Sequence, residues 1–107
     1  MTTPSFPQSF TISPEAVSFI KNDFTLIQLI IEAAHNIWLY FPEAPMHLSI
    51  ITDPETEISE KLLLSIITNM DLKTAQAKLT EFDQKWWFDN MHIARNKLCI
   101  DVSFIHK

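Results

Sequence analysis

The sequence predicts an α+β two-layer sandwich, with a three- or four-stranded sheet and two helices on one face. Three observations predict it. Apolar residues recur at spacings of three and four over residues 14–41 and again over 72–90, the period of an amphipathic helix. They alternate singly with their neighbours over 46–51 and 98–105, the period of a strand with one buried face. Residues 61–68 are nearly all apolar, as in a central strand.

Residues 1–12 carry Pro4, Pro7 and several Ser and Thr, so they read as an extended arm ahead of a domain over 13–107. Within the arm, Phe10-Thr11-Ile12 is a candidate edge strand. Ser13-Pro14-Glu15 starts the first helix, with a serine N-cap, a proline at the first helical position and an acid in the first turn. Its stripe runs Ile20, Phe24, Ile27, Ile31, Ala34, Trp38, Phe41. Asn22-Asp23 offers a break where a second N-cap could restart the helix. Pro42 and Pro45 end it.

Met46, Leu48 and Ile50 then alternate with His47, Ser49 and Ile51. An acidic turn, Asp53-Pro54-Glu55-Thr56-Glu57, leads into the central strand, and Asn69 is the expected positive-φ residue after it. Asp71 caps the helix over 72–90, whose stripe is Leu72, Ala75, Leu79, Phe82, Trp86. The last strand commits Leu98, Ile100, Val102 and Phe104 to the core. The order is α-β-β-α-β, or β-α-β-β-α-β if the arm pairs, and a ferredoxin-like arrangement fits it.

Composition excludes several functions. The 107 residues contain no glycine, which removes phosphate loops, dinucleotide-binding turns and nucleophile elbows. No cofactor or metal motif takes their place. The net charge of −5, with seven lysines and one arginine, argues against a nucleic-acid partner. The charge is split, −7 over residues 1–60 and +2 over 61–107. A single cysteine, Cys99, excludes an internal disulfide and suits a reducing cytoplasm. The apolar stretch from Phe24 to Phe41 is interrupted by Gln28, Glu32, His35 and Asn36, so no membrane span is expected.

The reactive residues form no recognised constellation. His35, His47, His92 and His106 show no ligand spacing, and His47-Leu48-Ser49 is a lone His-x-Ser element. Asp53, Glu55, Glu57 and Glu60 lack the glycine and ligand order of a calcium loop. A small hydrolase or isomerase using His47, Asp53, His92 or Cys99 would need those groups to converge in one concavity.

Surface patterning points to association instead. Trp87 falls ~100° around the helix from Trp86, so it either packs at the sheet edge or final turn, or stands exposed as an anchor. The outer sheet face is half apolar. With Trp87, its residues Ile51, Leu63, Ile67 and Ile105 are the candidate contacts. A homodimer, or a complex with another protein, is the expected use of such a patch. Acidity and small size also permit an antitoxin-like inhibitor of a basic nuclease.

Asp53-Pro54-Glu55, Phe82-Asp83-x-x-Trp86-Trp87 and Lys97-Leu98-Cys99-Ile100 together resemble a family of small uncharacterised cyanobacterial proteins over about residues 38–105. The resemblance implies a bacterial, cytoplasmic protein and carries no site residue.

Overall fold

The computed structural model of the chain describes residues 10–52 and 60–105. The expectations for the start of the arm, for the acidic turn over 53–57 and for His106 lie outside the described residues. Strand β1 (Phe10–Ile12) leads to helices α1 (Pro14–Ile20) and α2 (Phe24–Ile37), then strands β2 (Met46–Thr52) and β3 (Glu60–Thr68). Helix α3 (Leu72–Phe82) follows, continued by a π turn over Asp83–Trp87, a short α segment over Phe88–Asn90 and a 3₁₀ turn over Met91–Ala94. Strand β4 (Leu98–Phe104) closes the order.

The four strands lie side by side as β1-β2-β3-β4. β1 runs parallel to β2, β2 antiparallel to β3, and β3 parallel to β4. The α+β sandwich is therefore as the patterning predicts, with Phe10–Ile12 supplying the fourth strand. The ferredoxin-like version does not hold. Its helical crossovers join strands that have another strand between them, whereas α1/α2 and α3 here each link immediate neighbours.

All three helices pack on one face. Met46 and Leu48 of β2, Leu62, Leu64 and Ile66 of β3, and Leu98 of β4 share a single buried cluster with residues of α1, α2 and α3. Caps fix where the helices begin. The Ser13 hydroxyl accepts from the Ala16 N–H at 3.2 Å, and Asp23 Oδ1 accepts from the Leu26 N–H at 3.0 Å. At α3, Asp71 accepts from both the N–H and the hydroxyl of Thr74, and these bonds hold its carboxyl below the ordinary carboxylate range.

The Asp23 cap resets the phase of the first helical region. A stripe counted from Ile20 makes Phe24 a core residue, but Phe24 is 80% exposed. The restarted helix buries Leu26, Leu29, Ile30, Ala33 and Ile37 together with Ile31 and Ala34 of the predicted stripe. Trp38 is half-buried, with its indole N–H donating to the Ala44 carbonyl at 2.9 Å. Without glycine, positive φ among the described residues falls on Glu43, Arg95 and Asn96, and not on Asn69. The Arg95-Asn96 pair makes the turn into β4.

The π turn explains Trp87. The Phe88 N–H donates to the Asp83 carbonyl five residues back, so one extra residue enters the turn. Phe82 and Trp87, five apart, then face the same core, and both are buried. Trp86 is left half-buried, stacked between the two at centroid distances of 5.7 and 6.1 Å.

Candidate interaction surface

Strand alternation places Thr11, then His47, Ser49 and Ile51, then Lys61, Leu63, Ser65 and Ile67, then Cys99, Asp101 and Ser103 on the face opposite the helices. None of these residues is buried, in contrast to the fully buried Leu48, Leu62, Leu64 and Ile66 of the other face. Ile105 continues this series beyond β4 and is 52% exposed.

Register shows how the face is organised. Thr11 pairs with His47, His47 with Ser65, and Ser65 with Asp101, so four polar residues form one row across all four strands. The Thr11 hydroxyl lies 2.6 Å from His47 Nδ1, which fixes the imidazole ring. The half-apolar face is thus two apolar ends and a polar middle. Ile51 and Leu63 are diagonal neighbours on one side of the row, and Ile67 and Ile105 on the other. Sequence alone places Ile51, Leu63, Ile67 and Ile105 on this face but misses Thr11 and Lys61, and it does not show the row, which depends on the offsets between strands.

Trp87 does not belong to this surface. It is 8% exposed and forms part of the core, because the π turn rotates it inward. It therefore cannot serve as an exposed anchor. Phe24 and Leu39, which no patterning singles out as surface residues, are the most exposed large apolar side chains among the described residues, at 80% and 73%.

Asp53 lies outside the described residues, and the described groups that hydrolysis would need, His47, His92 and Cys99, stay apart. His47 is on β2 and Cys99 on β4, with the whole of β3 between them, about 10 Å at ordinary strand spacing. His92 sits exposed on the 3₁₀ turn. The described residues leave open hollows on the surface. One, of about 520 Å³, is lined by Phe24, Thr25, Gln28, Leu29, Glu32 and Ile93. Another, of about 240 Å³, lies around Phe41–Pro45, Ile67–Met70 and Ile105. Each brings one carboxylate, Glu32 or Glu43, and neither reaches the His47 row. Among the described residues no three of His, Cys, Asp and Glu gather as a metal site would require. No helix there is long and apolar enough to cross a membrane.

The border of the surface at β4 is the chemically distinctive part. β4 pairs only with β3 among the described residues. The Leu62 N–H donates to the Lys97 carbonyl and the Ile105 N–H to the Thr68 carbonyl. In a parallel ladder these bonds turn the odd-numbered residues of β4 toward β3. The backbone groups of Leu98, Ile100, Val102 and Phe104 therefore point outward. At one of them the edge is capped from within: Asp101 Oδ1 accepts the Val102 N–H at 2.8 Å. The Asp83 carboxyl is held above its ordinary value, first by burial and then by the negative charge of Asp101.

No protein-family model, curated protein or solved structure matches the chain.

Proposed function

We propose that this chain is a non-enzymatic interaction module that works by self-association, using the open face of its sheet and the adjoining β4 border. The observation that carries the reading is the contrast between the two faces. One is sealed by helices, while the other keeps Ile51, Leu63, Ile67 and Ile105 in contact with solvent beside a polar row. A surface of alternating apolar ends and a polar centre suits a reversible protein contact better than a permanent hydrophobic one. Catalysis is disfavoured on this reading. Ser65, His47 and Asp101 lie in a flat row, with Ser65 in the middle, so the carboxylate is not placed to orient the imidazole. A cytoplasmic bacterial setting goes with the lone Cys99 and with the motif resemblance.

Sedimentation velocity over a range of concentrations tests the reading. A mass that rises toward twice 12.4 kDa supports it. A chain that stays monomeric at high micromolar concentration ends it.

A further inference from the structure

Every outward-facing peptide of a border strand has a donor and an acceptor that water, a nearby side chain or another strand must satisfy, and at Val102 the Asp101 carboxylate already takes the N–H. β4 offers such peptides at Leu98, Ile100, Val102 and Phe104, over the seven residues of a strand with no proline. β1, at the other border, has three residues among those described. We propose that a second copy of this chain continues the sheet across β4, antiparallel, with Val102 lying opposite Val102 of the second copy. The proposal rests on the self-association reading and gives it a contact and a register.

The register follows from side-chain complementarity. With Val102 on the two-fold axis, Ile100 lies opposite Phe104, Asp101 opposite Ser103, and Cys99 opposite Ile105. Apolar residues meet apolar ones on the helix side. On the outer side each Asp101 carboxylate meets a serine hydroxyl that can donate to it. Moving the axis to Asp101 sets two carboxylates directly against each other, which is unfavourable. Moving it to Ser103 sets each Asp101 against Ile105 and leaves the carboxylate without a donor. The Val102 register also satisfies the backbone. The Val102 N–H exchanges its Asp101 oxygen for a carbonyl of the second copy, and the released carboxylate turns to Ser103.

Ile105 gains an explanation. It follows β4 on the outer face, more than half exposed, with its N–H still bonded to the Thr68 carbonyl of β3. In the proposed dimer it packs against Cys99 of the second copy.

The same pairing supplies the test. Cys99 and position 105 of the second copy form a non-hydrogen-bonded antiparallel pair, with Cα atoms about 4.5 Å apart. That distance is within disulfide range. In one chain the two positions are six residues apart on a strand, about 20 Å, and cannot join. Ile105→Cys, oxidised with copper phenanthroline, is expected to form a covalent dimer through its two thiols, with the copper taking the electrons. The unsubstituted protein and the Cys99→Ser/Ile105→Cys double variant are expected not to. Sedimentation of the reduced variant separates the two levels of the argument. A reversible dimer whose thiols do not link overturns the edge register and leaves self-association standing. A strict monomer overturns both.

Discussion

Phe82 and Trp87 are five residues apart on one continuous helical stretch, yet both are buried in the same core. A regular α-helix rotates 100° per residue, so a separation of five turns a side chain well away from its starting direction. The π turn over Asp83–Trp87 removes that rotation. It brings Trp87 inward and leaves Trp86 to stack between Phe82 and Trp87.

Truncating the two tryptophans separates their roles. Trp87→Ala should cost about 3–5 kcal/mol, as for other buried tryptophans. Trp86→Ala, at a half-buried position, should cost roughly half as much. Urea unfolding of both variants checks this order. Equal losses, or a larger loss at Trp86, would mean that the regular helical phase persists through this region.

The fold was legible wherever a local signal was strong. Alternation around Leu48 and Ile100 marked strands, the apolar run at Leu62–Ile67 marked the central one, and Asp71 marked a helix start. What stayed hidden depended on events that shift phase. The Asp23 cap restarts a helix, so Phe24 is outside the core that counting from Ile20 assigned to it. The π turn does the same for Trp87. On the outer sheet face, the identities of His47, Ser65 and Asp101 were readable. Their alignment in one row was not, since strand offsets are set by turns and core packing rather than by any one segment.

Glu43 tests the cost of a glycine-free chain. Its φ of 57° is in the left-handed region, and its side chain is exposed. The Cβ makes this conformation unfavourable, and glycine removes the clash at the expense of a more flexible unfolded chain. Glu43→Gly is therefore expected to stabilise the protein, by up to about 1 kcal/mol. Thermal unfolding should show a higher midpoint. A lower one would show that the Glu43 side chain contributes more than its exposure suggests.

Asp23 joins two ends of the domain. Oδ1 caps α2 at the Leu26 N–H, while Oδ2 lies 3.4 Å from Arg95 and 3.9 Å from Lys97 at the start of β4. The cap is the larger contribution, about 1 kcal/mol, because Arg95 and Lys97 are well exposed and their ion pairs are screened by solvent. Asp23→Ser should keep most of the stability, since serine caps as well as aspartate. Asp23→Ala should lose it. Comparable losses in the two variants, both shrinking at high salt, would show that the charge matters more than the cap.

Asp83 gives the protein a pH dependence of definite sign. Burial, and then the Asp101 charge, hold its folded-state pKa above the unfolded value of 3.8. The folded form binds this proton more tightly, so the ionised group destabilises the fold at neutral pH. That penalty is relieved as pH falls through the raised value toward 3.8. Asp83→Asn should remove it. The variant is expected to be more stable than the parent at pH 7, with the difference shrinking on acidification. Urea midpoints measured from pH 7 to 4 read this directly, and a difference that grows toward low pH would reverse the assignment.

Ser103 tests the edge pairing through charge alone. It is exposed and lies opposite Asp101 of the second copy in the register centred on Val102. Ser103→Asp would set carboxylates against each other twice, by symmetry, and should weaken dimerisation about tenfold. Ser103→Lys would create two opposite-charge pairs and should strengthen it by a similar factor. Both shifts should shrink at high salt. The placement of Asp101 across from Ser103 makes the two variants move in opposite directions, and by more than the same pair of substitutions at an exposed site away from β4, where only the net charge of −5 acts. If both weaken the dimer equally, Ser103 faces something other than a carboxylate; if neither changes it, β4 is not where the copies meet.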